Sequence, residues 1–241
     1  MAREKATMTD FFRFPHTPHI VWLGKDSPRD DKVLSPIEAQ QLLAHQVIVE
    51  EKLDGANLGF SVSANGELRA QNRGQYLLQP YVGQFEKLEN WLKPRADSLF
   101  DALGENLMLF GEWCAAQHSL DYQTLPDWFL VFDVYDKQQQ QFWSVTRRNQ
   151  LAKQLDLAVV PEVFRGRITL AQLKERIEQK QSLYRDGHLE GLVIRQDSQL
   201  WCEKRAKLVR ADFTQAITDH WRKKRLQWNQ LDFMTAPRKA I

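Results

Sequence analysis

Cysteine is scarce in this chain, which has only two in 241 residues. Cys114 and Cys202 are too few to build a disulfide framework, and such scarcity is typical of a reducing compartment. Long apolar runs are also missing: no stretch approaches the length of a membrane span, and the first residues contain no apolar signal core. We therefore expect a soluble, cytoplasmic protein that has no membrane partner.

Neither sign of charge is in large excess, since 33 Lys and Arg residues face 31 Asp and Glu residues for a formal charge of +2. This balance excludes the global basic field of a histone-like protein, so any contact with nucleic acid must come from a local patch. The Cys and His residues show no metal-ligand spacing. The hydrophobic fraction is 43%, with 8 Trp and 13 Phe, which is enough for one large domain or a domain with a small appendage.

Apolar periodicity divides the chain into short strands and amphipathic helices. Ser35, Pro36 and Glu38 indicate a helix start, because they combine a cap, a proline at the first helical position and a capping-box glutamate. We predict helices over residues 36–44, 81–103, 144–155, 170–183 and 213–229, and strands over residues 46–51, 57–63, 67–71, 107–113, 128–136, 159–161, 191–195 and 200–210. After an irregular segment over residues 1–30, this pattern predicts an α+β fold of largely antiparallel sheets flanked by helices.

Lys52 follows the apolar strand Val47-Ile48-Val49 and precedes Asp54-Gly55. Asp-Gly favours a tight turn between strands, so a simple hairpin explains the tetrapeptide. The alternative is that Lys52 is a nucleophile, which requires surroundings that lower the pKa of its amine. The tetrapeptide alone leaves both interpretations open.

Polar signals recur at the ends of apolar strands: Lys52 with Asp54, Glu112 after Phe110-Gly111, Glu190 before Gly191, and Lys204 with Lys207. Each of them alone is typical of a solvated strand edge or a turn. Buried sheets rarely tolerate charge without a partner, however. If these acids and lysines converge, they form a site suited to a nucleotide phosphate and a divalent metal.

The order of the signals resembles that of the covalent nucleotidyltransferases, a superfamily of RNA ligases, DNA ligases and capping enzymes. The similar motifs are Lys52-x-Asp-Gly, Phe110-Gly-Glu112, the strand ending in Phe132-Asp133, Glu190-Gly-Leu-Val-Ile and the lysine-rich strand 200–210, which correspond to motifs I, III, IIIa, IV and V. The segments 14–19, 142–166 and 206–213 are similar to the stand-alone RNA ligase branch. The resemblance covers residues 11–215.

The resemblance implies a nucleotidyltransferase fold, the ATP-grasp-like adenylation domain of ligases, at residues 1–212, followed by a short helical tail at 213–241. In most DNA ligases and capping enzymes, a five-stranded OB-fold domain follows motif V. The roughly 30 residues after Arg210 are too few for such a domain. The 51 residues before Lys52 leave little room for the nicotinamide-binding domain of NAD-dependent ligases. We therefore expect an ATP-dependent RNA ligase. The alternatives are a minimal ATP-dependent DNA ligase, a nucleotide-binding module without ligation, and an RNA-binding protein without nucleotide chemistry.

The resemblance also implies residue roles. Lys52 attacks the α-phosphate of ATP to form a lysyl-AMP intermediate, Asp54 lies beside it, and Gly55 lets the backbone pass close to the nucleotide. Glu190 binds Mg²⁺ or Mn²⁺. Phe132 stacks on the adenine, and Glu50, in preference to Glu51, contacts the adenine edge. Glu112 binds the ribose hydroxyls, and Arg73 binds the ribose or the phosphate of the accepting strand. Asn57 is a further implied contact of ATP or AMP.

Motif V departs from the usual Lys-x-Lys, because this chain has Lys204-Arg205-Ala206-Lys207. Either Lys207 is the phosphate-binding lysine on its own or Arg205 takes one role, and we favour Lys207 while keeping Lys204 as a catalytic candidate. Neighbouring cations and a metal are expected to lower the pKa of Lys52 by like-charge repulsion.

The implied substrates are RNA ends, a 5′-phosphate and a 3′-hydroxyl, which are joined through an adenylylated RNA end in RNA repair or nick sealing. An end-healing enzyme is a possible partner in such repair. We expect nucleic-acid contacts from Arg73, Arg210 and the basic run Arg222-Lys223-Lys224, although a solvated helix face explains that run equally well.

Overall fold

The computed structural model describes residues 11–25, 32–216 and 226–232, and it consists of two antiparallel sheets with helices packed on them. This confirms the α+β class predicted from periodicity. Within the described ranges, no helix is both long enough and apolar enough to cross a membrane.

The four-stranded sheet is formed by β1 (Val47–Lys52), β8 (Glu162–Gly166), β9 (Gly191–Asp197) and β10 (Cys202–Val209), in the spatial order β10-β9-β1-β8. The inner strands β1 and β9 carry β-branched apolar residues, which favour extended backbone. Val47, Val49, Leu192 and Ile194 are buried in one hydrophobic core on this sheet. The intervening residues of β1 therefore face the other way, which places Glu50 and Lys52 together.

The second sheet contains β2 (Ala56–Val62), β3 (Leu68–Gln71), β4 (Leu107–Trp113), β5 (Phe129–Asp136) and β6 (Gln141–Phe142) in the order β3-β2-β4-β5-β6. The short strand β7 (Ala158–Val159) pairs in parallel with β5. One face of this sheet packs on a large core that includes Phe60, Trp91 and Phe129. The opposite face carries Asn57, Glu112 and Phe110, which the β2–β4 register brings into adjacent rows.

The helices are α1 (Pro36–Leu43), α2 (Leu88–Leu92), α3 (Ala96–Leu103), α4 (Val145–Gln154), α5 (Leu170–Gln179) and α6 (Ala211–Ala216). The capping box predicted at the start of α1 is present, since Ser35 Oγ accepts from the Glu38 amide and the Glu38 carboxylate accepts from the Ser35 amide. Helix α5 starts with a second capping box, formed by Thr169 and Gln172.

Two element predictions are wrong, and one strand was not predicted. The single helix predicted over 81–103 is a 3₁₀ turn followed by α2 and α3, because Pro94 offers no backbone N–H and restricts the residue before it. The strand predicted over 159–161 stops before Pro161, as β7 (Ala158–Val159), but a further strand, β8, begins directly after the proline and was not predicted. Helix α5 ends at Gln179 rather than 183, because Ser182 and Leu183 turn to hydrogen-bond Glu51.

The predicted helix over 213–229 agrees with the structure only in part. Helix α6 is described from Ala211 to Ala216, but residues 226–232 are not helical. These seven residues instead lie along residues 115–125, with isolated bridges from Ala116 to Trp228 and from Leu125 to Leu231. The division into a domain at 1–212 and a tail at 213–241 stays a prediction.

Candidate active site

A cavity of about 330 Å³ lies between the two sheets. Strands β1, β9 and β10 supply one wall, strands β2, β4 and β5 supply the other, and Phe14 and Thr17 of the N-terminal segment close one side. The predicted site residues that line it are Glu50, Glu51, Lys52, Gly55, Asn57, Arg73, Glu112, Phe132 and Lys207. Residues far apart in sequence thus converge on one enclosed space, as the motif order predicts.

Lys52, which lines this cavity, forms an ion pair with the buried Glu190, which does not line it. Lys52 Nζ lies 2.7 Å from Glu190 Oε1 and 2.9 Å from Oε2, and the glutamate is only 5% exposed. The β1–β9 register explains the pairing, because Lys52 lies opposite Gly191 and so next to Glu190. Motifs I and IV therefore meet through adjacent strands of one sheet.

The electrostatics around Lys52 differ from the prediction. Burial is the largest single influence and lowers the pKa of Lys52, but Glu190, Glu112 and Asp54 together outweigh it and raise the pKa above its usual value. The expected lowering by neighbouring cations is therefore wrong for the protein alone, because carboxylates surround the amine.

The two glutamates near Lys52 are shifted as well. Burial raises the pKa of Glu190 to about 8 and that of Glu112 to about 7, against the opposing charge of Lys52. Asp54 adds to both shifts, since a nearby carboxylate disfavours a second negative charge. The site thus concentrates acidic groups around one lysine and favours binding of additional positive charge.

Asp54 supports the turn after Lys52 rather than lining the cavity. Its Oδ2 accepts hydrogen bonds from the amides of Ser119 and Leu120, both at 2.7 Å, and its own amide donates to Tyr122 Oη at 2.8 Å. Gly55 follows, and a Cβ there would lie 2.6 Å from the Trp113 carbonyl oxygen, so only glycine fits against β4. The Gly55 amide donates to Glu112 Oε1 at 3.0 Å.

Glu50 and Glu51 line the cavity, but both carboxylates are held by protein partners. Glu50 Oε1 accepts from Arg148 at 2.6 Å, while Glu51 accepts from Ser182 Oγ at 2.5 Å and from the Leu183 amide at 3.1 Å. These bonds tie both carboxylates to the protein, and the Glu51 amide also donates to the Pro161 carbonyl oxygen at 2.9 Å.

Phe132 is held at the cavity by two buried arginines. Arg148 Nη1 and Arg195 Nη1 donate to its carbonyl oxygen at 2.7 and 3.0 Å, and each arginine is only 1% exposed. Arg195 and Arg205 also pair with Asp133. A network of buried, paired charges therefore holds the backbone of the residue whose ring is the predicted adenine platform.

On β10, Arg205 and Lys207 face the cavity, whereas Lys204 is exposed and does not line it. Successive residues of a strand point to opposite faces, so Arg205-Ala206-Lys207 presents two cations on one face with the buried Ala206 on the other. The structure favours the alternative in which Arg205 takes one position of motif V, and it does not bring Lys204 into the candidate site.

The family model of RNA ligase matches residues 45–209, which is more than half of the chain. The chain belongs to the RNA ligase family. A search of curated protein sequences gave no significant match.

Solved structures of Naegleria gruberi RNA ligase share the fold of this family member. An arginine-to-alanine mutant with ATP and Mn matches with a TM-score of 0.61 and 17% identity, covering 88% of this chain and 60% of that one. A lysine-to-alanine mutant with ATP and Mn matches with a TM-score of 0.57 and 18% identity, covering 73% and 54%. The chain thus spans little more than half the length of the structures it matches.

Arg210, another predicted residue of this RNA ligase family member, does not line the cavity. Arg210 pairs with Asp212 and Glu178 and donates to the Ile177 carbonyl oxygen. Arg222, Lys223 and Lys224 lie outside the described residues. Both remain predictions as nucleic-acid contacts.

Sequence reasoning missed the residues that support the site from a distance. Asn229 accepts from the Tyr122 amide at 2.8 Å and donates to the Cys114 and Ala116 carbonyl oxygens. Tyr122 in turn binds the Asp54 amide, so the segment 226–232 supports the turn that follows Lys52. A lone Asn in a polar tail gives no sequence signal of this contact, whereas Arg148 follows the motif IIIa strand in a helix that the sequence does predict.

Proposed function

We propose that this RNA ligase family member is an ATP-dependent RNA ligase that acts through a lysyl-AMP intermediate. The observation that carries the proposal is the amine of Lys52, which pairs with Glu190 at a cavity that Phe132, Arg205 and Lys207 also line. Three steps follow: AMP is transferred to Lys52, then to an RNA 5′-phosphate, and finally an RNA 3′-hydroxyl attacks that end and releases AMP.

In the first step Lys52 Nζ forms a bond to the α-phosphorus of ATP while the bond to pyrophosphate breaks. The amine must first lose a proton, and the Glu190 carboxylate, 2.7 Å away, is the nearest group that can accept it. Arg205 and Lys207 lie on the cavity face of the neighbouring strand, where their charges can neutralise the triphosphate.

The remaining cavity residues suit the nucleoside. Phe132 offers an aromatic face for adenine, and its backbone is fixed by Arg148 and Arg195. Asn57 Oδ1 is a buried acceptor with no hydrogen-bond partner, as expected of a group that receives a bond from a ligand. Glu112 faces the same space and can accept from ribose hydroxyls.

The donor set also fits a divalent cation such as Mg²⁺ or Mn²⁺. Among the described residues, no cluster of three or more metal-ligating side chains exists, but Glu190 and Glu112 flank Lys52 with raised pKa values. One or two carboxylates with substrate phosphates are the usual protein ligands of Mg²⁺. Glu190 would hold the ion, which when bound stabilises negative charge on the phosphoryl oxygens. The Naegleria structures with ATP and Mn support this assignment.

The proposed substrates are RNA ends, as the family name indicates. Such an activity would serve in the repair of broken or nicked RNA. A separate enzyme would heal the damaged ends before they are joined. Cys114 and Cys202 are both free thiols, which fits the cytoplasm as the place of action.

The test is transfer of label from α-labelled ATP to the protein with Mg²⁺ or Mn²⁺, after incubation with pyrophosphate to remove any AMP already bound. We expect covalent label on the wild-type chain, none on Lys52→Ala, and unchanged labelling of Lys93→Ala, which removes an exposed lysine outside the cavity. Labelled GTP should give no adduct. A folded wild-type protein that takes no label from ATP would contradict the proposal.

A further inference from the structure

A second cavity, which we call the outer cavity, opens at the far end of the same sheet face. Its volume is about 530 Å³, and it lies among residues 61–65, Arg69, Tyr76, Tyr135 and Lys137. It is larger than the cavity at Lys52, and the roles proposed above do not use it.

The outer cavity continues the surface that carries the candidate active site. Asn57 pairs with Glu112 at the catalytic end, and Ser61 pairs with Met108 at the outer end, four residues further along β2. An even separation keeps both pairs on one face of the sheet, and four residues of strand span about 13 Å. Phe14 borders the catalytic cavity and Phe12 borders the outer cavity, so the N-terminal segment lies between the two.

The strand β3 connects the two cavities with cations. Arg69 is opposite Ser61 in the ladder and lines the outer cavity, whereas Arg73, just past the strand, lines the catalytic cavity. The ion-pair partner of Arg69 is the exposed Glu67, at 3.5 Å, and such surface contacts contribute little. A chain of phosphates leaving the catalytic cavity along this face would therefore meet a second cation.

The walls of the outer cavity combine charge with aromatic rings. Phe12 stacks on Tyr135 with ring centroids 4.1 Å apart, and the Arg69 guanidinium lies 5.4 Å from the centre of the Tyr76 ring. Lys137 adds a second cation, and Glu105 supplies one carboxylate acceptor. Cations beside aromatic rings are the usual means by which proteins bind single-stranded nucleic acid.

We propose that the outer cavity binds a nucleotide of the RNA strand whose end occupies the catalytic cavity. Its phosphate would lie between Arg69 and Lys137, and its base would contact the rings of Tyr76 and Tyr135. The distance of about 13 Å places this nucleotide a few positions from the reacting end. The inference rests on the proposed function and adds to it a site that holds the substrate strand.

The first test maps the contact in the wild-type protein. A 5′-phosphorylated RNA oligonucleotide carries one 4-thiouridine, moved in turn through the first six positions, and crosslinked peptides are identified by mass analysis. We expect crosslinks to peptides containing Tyr76 or Tyr135 from positions two to four, and their loss in the presence of excess unlabelled RNA. Crosslinks confined to other peptides would overturn the proposal, as would competition by free AMP equal to that by RNA, which would identify a mononucleotide site.

The second test compares two double variants that remove the same charge. Arg69→Ala with Lys137→Ala should weaken binding of the same oligonucleotide at least tenfold and reduce the slope of log K against log salt by about 0.7, the value for one phosphate of a single strand. Lys153→Ala with Lys174→Ala removes two exposed lysines outside both cavities and should change the affinity less than twofold. Equal losses in the two pairs, or no loss in either, would contradict the proposal.

Label transfer from ATP separates this inference from the proposed function. If the wild-type protein never takes AMP but crosslinks at the outer cavity, the ligase proposal fails and the RNA site stands. If AMP is transferred to Lys52 and ends are joined, but the outer-cavity pair binds RNA as well as the control pair does, the ligase proposal stands and this inference fails.

Discussion

Single residues of β10 are assigned to the cavity by strand alternation. Arg205 and Lys207 are two positions apart and share the face that lines the cavity, whereas Lys204 is exposed. The side chain that a motif presents is therefore decided by its register against β9, where Lys207 lies opposite Val193. A motif written as a string of letters does not contain this information when several cations are adjacent.

We predict that Lys207→Ala lowers the rate of AMP transfer to the protein about 100-fold or more, because a cation that stabilises the phosphoryl group is lost. Lys204→Ala should lower it less than about tenfold, since an exposed lysine acts only at a distance. Single-turnover kinetics with saturating ATP measure both rates. A larger loss from Lys204→Ala than from Lys207→Ala would contradict the assignment of faces.

Glu51 makes the stability depend on pH. Burial raises the pKa of its carboxyl, against hydrogen bonds from Ser182 and Leu183 and the charges of Lys180 and Arg185. A carboxyl with a raised pKa in the folded state favours folding below its unfolded pKa, and that contribution is lost as the pH rises through the folded pKa. Glutamine at this position can accept from the Leu183 amide and donate to Ser182 Oγ, so it contacts both partners without the charge.

We therefore expect Glu51→Gln to gain free energy of unfolding relative to wild type as the pH rises from 4 to 7. Urea denaturation at both pH values measures the change. A difference between variant and wild type that stays constant with pH would show that the pKa of Glu51 is not raised in the folded protein.

At the scale of elements, the segment 226–232 is held to residues 114–125 by main-chain and Asn229 hydrogen bonds. The Leu125 amide donates to the Gln230 carbonyl, and the Gln230 amide donates to the Tyr122 carbonyl. Tyr122 Oη accepts a hydrogen bond from the Asp54 amide, and the amides of residues 119 and 120 donate to the Asp54 carboxylate, so segments 226–232 and 114–125 together hold Asp54 in place. The segment therefore belongs to the support of the turn that follows the proposed nucleophile.

We predict that Asn229→Ala costs about 1–3 kcal/mol of stability, because buried groups lose their hydrogen-bond partners. It should also lower the maximal rate of AMP transfer at temperatures where the variant is fully folded. Gln230→Ala is the matched control, since Gln230 contacts its neighbours through main-chain groups. If both variants transfer AMP at the wild-type rate, the segment does not position the turn.

At the scale of the whole molecule, buried charges join the two sheets. Glu50 on β1 pairs with Arg148 on α4, and Arg195 on β9 pairs with Asp133 on β5. Both arginines also bind the Phe132 carbonyl oxygen. The geometry of the cavity therefore depends on a network in which each charge is satisfied by a residue of another element.

We expect Arg148→Ala to reduce the free energy of unfolding by about 3–5 kcal/mol, because Glu50 is left buried without its partner. Arg147→Ala on the same helix should cost at most about 1 kcal/mol, since Arg147 stacks on Trp143 and Trp201 at the surface. Urea denaturation compares them, and equal costs would contradict a special role for the network.

The features that could be predicted from the sequence are those that depend on short stretches of the chain. Lys52, Glu112 and Glu190 each lie at the end of an apolar strand, and periodicity is enough to locate such strands. The helix over 81–103 was predicted as one element because apolar spacing continues across Pro94, although its backbone does not. The contacts of Arg148 with Glu50 and of Asn229 with Tyr122 span 98 and 107 residues, so only the folded chain shows them.

The most direct test of the whole account is sealing of RNA ends. An RNA strand labelled at its 5′-phosphate is incubated with the protein, ATP and Mg²⁺ or Mn²⁺, and the label is then challenged with phosphatase. We predict that wild type makes the label resistant in a longer or circular RNA, since an adenylylated end is resistant without a change of length, and that Lys52→Ala leaves it sensitive. If wild type carries AMP on Lys52, yet the label stays sensitive on single-stranded and nicked RNA alike, this chain is not an RNA ligase.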